Sequence, residues 1–179
     1  KLDTPTKFNL TAAFYTFSIS FTKTTYIIFL LSNGLNRLEV HLISSIFTIT
    51  TLSLEPITAV YAEFFGTKKS FILGCFIKVI AVLIFYFGSS FNLFIIAEIL
   101  SAIGMTFISG CLVAWMVDRM KTEEKGSEIF KVFESRERYK SIAFIIGGLS
   151  GAFLGEYSLK LPWLGVAITM LITIIISNF

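Results

Sequence analysis

Six long apolar stretches occupy most of this 179-residue chain. A transmembrane helix needs about 20 mostly apolar residues. With 55% hydrophobic residues and a mean hydropathy of +0.80, too little polar surface remains to cover a water-soluble domain of this size. The sequence lacks strand-type alternation, so we expect helices to satisfy the backbone inside the bilayer. The sequence predicts an all-α membrane protein with transmembrane helices near residues 8–31, 40–62, 70–88, 91–116, 140–158 and 162–178.

The six predicted helices are expected to form a 3+3 bundle, and the longest connection of the chain follows the fourth helix. Residues 1–117 hold helices 1–4, with a short polar loop at 62–69, and residues 140–179 hold helices 5–6. The connection at 118–139 mixes acidic, basic and apolar residues, which predicts an interfacial amphipathic helix. A 3+3 bundle is the arrangement of transporters built from structural repeats. The chain opens on a lysine and ends in an apolar run, so we expect a segment of a longer polypeptide.

The basic residues predict the orientation in the membrane. If the N-terminus is cytoplasmic, eleven of the 15 lysines and arginines fall on the inner side, and only Arg37 and Lys160 fall outside. The positive-inside rule therefore predicts a multi-pass protein of the cell membrane with a cytoplasmic N-terminus. The net charge of +3 reflects this topology, and it does not indicate nucleic-acid binding.

Few residues could support catalysis or metal binding. Cys75 and Cys111 lie inside predicted spans, where a thiol packs like a small apolar side chain, and His41 is the only histidine. No nucleophile–base pair or set of metal ligands appears among the spans. We therefore expect neither an enzyme nor a protein with a cofactor.

Two segments resemble a known family. The run Ala59–Lys69 resembles the signature between the second and third helices of the major facilitator superfamily, G-x-L-A-D-R-x-G-R-R/K. In the fourth stretch, Ala97–Gly104 and Ser109–Asp118 look like the A-E-x-L-x-x-I-G and S-G-x-x-x-A-W-x-x-D patterns of a bacterial branch. The resemblance covers essentially the whole chain, and it implies the N-terminal six-helix half of a twelve-helix transporter.

The resemblance also implies a gating loop. In the family, this loop and the inner end of helix 4 form a charge relay that latches the two halves in the outward-facing state. By the resemblance, that role falls to Glu63, Lys68, Lys69 and Asp118, and Gly66 would let the loop bend tightly. The sequence departs from the signature at Ala59, Glu63, Phe64 and Thr67, and the two arginines usual at 64 and 67 are missing. The alternative is that the lysine pair only enforces topology.

Charged residues inside the spans are the next candidates, because an ionised side chain at membrane depth usually faces a cavity or a partner. At 1.5 Å per residue, Lys23 lies roughly 12 Å and Glu98 roughly 10 Å from the outer ends of their spans. By the resemblance, helices 1 and 4 both line the central cavity. The sequence therefore predicts that Lys23 and Glu98 pair near the substrate path. Lys78 lies about two turns from the inner end of its span, where it can snorkel to the interface.

Glu55 lies lower, about 10 Å from the cytoplasmic end of the second span, and it directly precedes Pro56. A carboxylate at that depth is suited to carry a proton. An equally good explanation is a structural hydrogen bond to a backbone group that the proline frees. In the fifth span Gly147, Gly151 and Gly155 recur every four residues, which predicts a face for close helix packing.

These features predict a secondary active transporter that moves a small solute by alternating access. We favour efflux, and coupling to protons stays open. Its expected partners are the solute, the lipid bilayer and the C-terminal six-helix half. The alternative is a non-transporting six-helix scaffold or assembly subunit that keeps the fold and has lost the gating chemistry.

Overall fold

The computed structural model describes residues 3–122 and 129–178, and every regular element in those ranges is an α-helix. The predicted all-α class is therefore confirmed. In chain order the helices are α1 Thr4–Ser20, α2 Tyr26–Ser32, α3 Arg37–Phe65, α4 Thr67–Phe87, α5 Phe91–Ile108, α6 Cys111–Thr122, α7 Ile129–Tyr157 and α8 Leu161–Asn178.

Three segments among the described residues are long and apolar enough to cross a membrane. They are Arg37–Phe65, Thr67–Phe87 and the combined segment Phe91–Thr122. Leu161–Ser177 is apolar but shorter. The structure therefore supports a membrane protein by helix length and composition, and the count of six spans stays a prediction.

The first and fourth predicted spans each consist of two helices. Residues 21–25 form a turn between α1 and α2, and residues 109–110 interrupt the path from α5 to α6. The predicted connection at 118–139 is divided differently: α6 continues to Thr122, and α7 begins at Ile129 and runs without a break into the fifth span. The rest of that connection, 123–128, lies outside the described residues, as does Lys1.

Local sequence explains where α3 begins and ends. A capping box starts the helix: the Glu39 N–H donates to the Asn36 side chain at 3.0 Å, and the Asn36 N–H donates to the Glu39 carboxylate at 2.8 Å. The helix continues through Pro56. Gly66 ends it with φ of +94°, a conformation that glycine adopts without steric cost, and α4 starts at the next residue.

The helices pack into one bundle with two ends. The loops at Gly34 and Gly88 lie at one end, which we call the Gly88 end. The start of α1 and Gly66 lie at the other, the Gly66 end. α1 packs against α7 and α8, α4 packs against α5 and α8, and α3 packs against α5.

An aromatic cluster lies near the Gly88 end. Its ring centroids are 4.2 Å apart for Phe85–Trp163 and 5.7 Å apart for Phe85–Phe94, and both pairs are stacked.

Large apolar side chains remain uncovered on α3 and α7. On α3 they include Leu38, Ile49 and Leu52, each more than 60% exposed, and on α7 they include Leu149 at 68%. A monomer in water rarely exposes contiguous apolar surface of this extent. Hydrocarbon or further protein therefore covers these faces.

Candidate functional site

The interruption of the first span places Lys23 in a turn. Two backbone hydrogen bonds between residues three apart stabilise this turn. The Lys23 N–H donates to Ser20 O and the Thr25 N–H donates to Thr22 O, each at 3.2 Å. Threonines are poor helix formers, and hydroxyls such as that of Ser20, which donates to Thr16 O at 2.6 Å, compete for backbone carbonyls. The side chain of Lys23 is exposed.

The glycines of α7 pack against α1 and this turn. A Cβ on Gly147 would lie 2.6 Å from the Phe17 carbonyl oxygen, and one on Gly155 would lie 2.7 Å from the Thr25 methyl group. A Cβ on Gly151 would overlap the backbone of Phe21. The three glycines therefore let α7 approach the main chain of the first span, as a small-residue face does in membrane helices.

Glu98 is enclosed in the bundle on α5, with 8% of its surface exposed. It interacts electrostatically with Lys78 of α4 and, more weakly, with Lys23. The Tyr26 hydroxyl is close to both Glu98 and Ser44, but it is sealed from solvent and has no partner with hydrogen-bond geometry among the described residues. The carboxylate therefore lies among polar groups of three helices, with Lys78 as the main source of opposite charge.

Lys78 lies deeper in the bundle than the sequence indicated. Its ammonium donates to the Ser101 hydroxyl at 3.1 Å instead of extending to the interface. Close packing of α4 and α5 creates this position: a Cβ on Gly104 would lie 2.8 Å from both the Gly74 carbonyl oxygen and the Lys78 Cγ atom. The two glycines thus make room for the lysine stem beside α5.

The predicted partners Lys23 and Glu98 interact weakly through their charges, but no salt bridge joins them within the described residues. Three ion pairs lie on α7, at Arg136–Glu137, Arg138–Glu134 and Lys140–Glu137. Lys78 has the stronger interaction with Glu98. The structure therefore brings together Glu98, Lys78, Ser101 and Tyr26, with Lys23 at the margin, and we call these five residues the polar cluster.

Glu55 lies on the exposed side of α3, one residue before Pro56. Its Oε1 atom accepts a hydrogen bond from the Ser109 hydroxyl at 3.1 Å. Ser109 belongs to the interruption between α5 and α6, where Gly110 has φ of +74°. The partner of Glu55 is therefore a side chain at a helix break and not a backbone group freed by the proline.

The predicted gating loop lies at the Gly66 end. Glu63 and Lys69 are exposed beside the Gly66 turn, Lys68 is half-buried, and Asp118 lies exposed on α6. A Cβ at Gly66 would meet no atom within 4 Å, so its positive φ alone requires glycine there. The latch role of these residues stays a prediction.

The described residues contain no group of three or more histidine, cysteine or acidic side chains that could hold a metal ion. Cys75 and Cys111 are buried free thiols. The side chains of the polar cluster offer hydrogen bonding and charge.

Sequence reasoning missed Tyr26, Ser101 and Ser109 and misplaced Lys78. Hydroxyl-bearing residues are common in membrane helices, where they mostly bond their own backbone, so the sequence offers little to single these out. One signal was present: Ser101 follows Glu98 by three residues and shares its helix face.

Comparison with known proteins gives consistent results. The Major Facilitator Superfamily profile matches residues 8–177. Multidrug resistance protein 2 of Bacillus subtilis is 28% identical over 133 residues, covering 74% of this chain and 32% of the relative. Multidrug resistance protein 1 of the same organism is 28% identical over 73% of this chain and 33% of its own length. The uncharacterized MFS-type transporter YxaM, also from B. subtilis, is 26% identical. The match covers 84% of this chain and 37% of the length of YxaM.

The chain thus spans about a third of the length of the curated relatives it matches. Its match to the family profile extends over nearly all of its residues, and it includes the enclosed polar cluster and the Gly66 loop. The chain belongs to the major facilitator superfamily.

Proposed function

We propose that this chain forms the N-terminal half of a secondary active transporter that exports a small solute by alternating access. Membership of the superfamily supports a membrane transporter, and the names of two relatives, both multidrug resistance proteins, favour efflux. The single observation that carries the proposal is the enclosed Glu98 carboxylate, which sits among polar groups yet has no ion pair among the described residues.

Energetic cost is the reason to assign Glu98 a function. A buried ionisable group costs several kilocalories per mole unless partners compensate for its lost hydration. Lys78 supplies opposite charge, but its ammonium bonds Ser101. A carboxylate kept in this state is suited to bind a polar or cationic group of a passing solute, which would compensate for its lost hydration.

The membrane arrangement is part of the proposal. The paired helices α1 and α2, the long helix α7 and the short apolar helix α8 would each cross the bilayer, completing six spans with the three long apolar segments. The lysines beside Gly66 favour the cytoplasm for the Gly66 end. The Gly66 loop would latch this half to a C-terminal half through Glu63, Lys68, Lys69 and Asp118.

A solute screen separates this function from the scaffold alternative. The full-length protein would be reconstituted in proteoliposomes, with empty liposomes as the control, and tested with a panel of cationic, anionic and neutral dyes. We expect movement of at least one dye above the control. If no dye moves under an imposed pH gradient, a Na⁺ gradient or dye counterflow, the scaffold function is favoured.

A further inference from the structure

Lys23 is a charged side chain at membrane depth in open surroundings. The turn that carries it is farther from the Gly88 end than all of α2, which has seven residues and is about 10 Å long. The Lys23 side chain is exposed, and its ammonium forms no hydrogen bond or ion pair among the described residues. An ionised side chain at such a depth faces a water-filled cavity or a partner. Lys23 therefore marks the wall of a cavity.

The polar cluster contains two lysines and one carboxylate. Lys78 is the main source of opposite charge for Glu98, and its ammonium donates to the Ser101 hydroxyl at 3.1 Å. Lys23 interacts with both Lys78 and Glu98 through charge, but it forms no salt bridge with Glu98 within the described residues. One positive charge of the cluster is therefore left without a carboxylate of its own in this part of the chain.

Acidic side chains on the neighbouring helices do not supply the missing charge. α4 and α8 contain no acidic residue. On α3, Glu39 belongs to the capping box and Glu55 accepts from Ser109. On α7, Glu156 is exposed near the Gly88 end and forms no ion pair with Lys23. The other acidic residues of α7 belong to its ion pairs at the Gly66 end. Within the described residues, the charge of Lys23 is thus available to a ligand.

Lys23 and Glu98 present opposite charges that interact and yet do not meet. A ligand with a single charge can pair with only one of them, and burying the other without compensation is costly. A ligand with both charges can pair with both, because its carboxylate would accept from the Lys23 ammonium and its ammonium would donate to Glu98. The Tyr26 hydroxyl lies close to Glu98 and has no hydrogen-bond partner among the described residues, so it can donate a further bond.

We propose that the solute of this site is a small zwitterion of the amino-acid type, whose carboxylate binds Lys23 and whose ammonium binds Glu98. This inference rests on the proposed transport function and narrows its class of solute. Bound in this way, the solute would pair with the excess charge of Lys23 while the Lys78 ammonium stays at Ser101. Singly charged solutes would bind more weakly, because complementary charges set the specificity of a site.

Binding can be measured without transport, through the thermal unfolding midpoint of the purified full-length protein. The probes are leucine and phenylalanine, each compared with its amide, which keeps only the ammonium, and with its N-acetyl form, which keeps only the carboxylate. At about pH 6 the amine of each amide is protonated, and NaCl would keep the ionic strength constant. A ligand that binds only the folded state raises the midpoint according to its concentration and its Kd.

We expect at least one of the two amino acids to raise the midpoint of the parent. Its amide and its N-acetyl form should each need a concentration about tenfold higher, because each has lost one charge-assisted hydrogen bond. An equal response to the amino acid and its amide would show that the ammonium alone is recognised, and it would overturn the proposal. An equal response to the N-acetyl form would overturn it as well, and so would the absence of a response to both amino acids.

Charge variants assign the two ends of the ligand. K23Q should remove the preference over the amide, and K23R, which keeps the charge, should retain it. E98Q should remove the preference over the N-acetyl form. K160Q and E156Q are the matched controls, because both side chains are exposed near the Gly88 end, and both variants should respond like the parent.

One further outcome separates a solute site from a structural ion pair. A K23Q variant that keeps the full preference over the amide would overturn the proposal. If its unfolding midpoint without any probe also fell well below that of K160Q, the partner of Lys23 would be an acid in the rest of the full-length protein.

The class of solute and the transport function can fail separately. A protein that moves solute in proteoliposomes but shows no preference for the zwitterions would keep the proposed function and lose this class of solute. A protein that binds the zwitterions through Lys23 and Glu98 but moves no solute would keep the site and lose the function.

Discussion

The Lys78 ammonium donates to the Ser101 hydroxyl at 3.1 Å, and Ser101 lies one helical turn along α5 from the Glu98 carboxylate. Residues three apart share a helix face, so a small side-chain movement would carry the ammonium from the hydroxyl to the carboxylate. A solute group bound to Glu98 would compete with Lys78 for that carboxylate. The alternative partner at Ser101 keeps the displaced ammonium hydrogen-bonded, which lowers the cost of the exchange.

The close approach of the helices predicts a graded response to adding a methyl group. Gly151→Ala should destabilise the protein most, because the new Cβ would overlap the Phe21 backbone, which cannot move aside as a side chain can. Gly104→Ala would press on both the Gly74 backbone and the Lys78 stem. Overpacking of this kind costs about 1–3 kcal/mol. Thermal unfolding in detergent would measure the loss as a lower midpoint.

Gly148→Ala is the matched control for these variants. It lies on the same helix, and its Cβ would meet only a Thr24 methyl group at 4.0 Å. Its unfolding midpoint should stay at or above that of the parent, because alanine favours helix more than glycine does. A loss in Gly148→Ala as large as that in Gly151→Ala would contradict the described packing of α7 on α1.

The Gly66 turn predicts an effect on transport beyond its effect on folding. Gly66 has φ of +94° and Gly34 has φ of +88°. A Cβ atom added at either position would meet no other atom within 4 Å. Replacing either with valine should therefore destabilise the protein, by about 1–3 kcal/mol from backbone strain. Only the Gly66 variant should lose transport if its loop gates the bundle. Equal transport by the two variants would leave the Gly66 loop with a role in topology alone.

The proposed orientation predicts which loops an impermeant reagent reaches. In a full-length background in which every cysteine, including Cys75 and Cys111, is replaced by alanine, K160C should react with a membrane-impermeant maleimide on intact cells. E63C should react only after the cells are permeabilised, because the lysines beside it favour the cytoplasm. The reverse labelling pattern would show that the N-terminus lies outside.

The sequence predicted the helical class because it follows from hydropathy and length alone. α4, Thr67–Phe87, lies within a few residues of its predicted span at 70–88, since apolar runs bounded by glycines define both ends. The two interruptions were not predicted. Hydropathy averages over a window of about 20 residues, so a turn of five residues at 21–25 or of two at 109–110 leaves the average apolar.

The candidate site was only partly predictable, for a related reason. Depth along a helix follows from residue number, so Lys23 and Glu98 could be placed at one level. Which side chain faces which depends on helix rotation and on close contacts such as Gly74 with Gly104, which brings Lys78 to α5. The Glu55–Ser109 hydrogen bond, between residues 54 positions apart, likewise depends on how α3 lies against α5.

The most direct test of the transport proposal is solute counterflow by the full-length E98Q variant in proteoliposomes, beside the parent and E156Q. Counterflow needs an alternating solute site but no driving gradient. We predict that E98Q retains its folded, monodisperse elution profile and loses about tenfold in counterflow rate, as expected when a charged hydrogen-bond partner is removed. E156Q should match the parent. Counterflow by E98Q equal to that of the parent would contradict a role for Glu98 in the solute path.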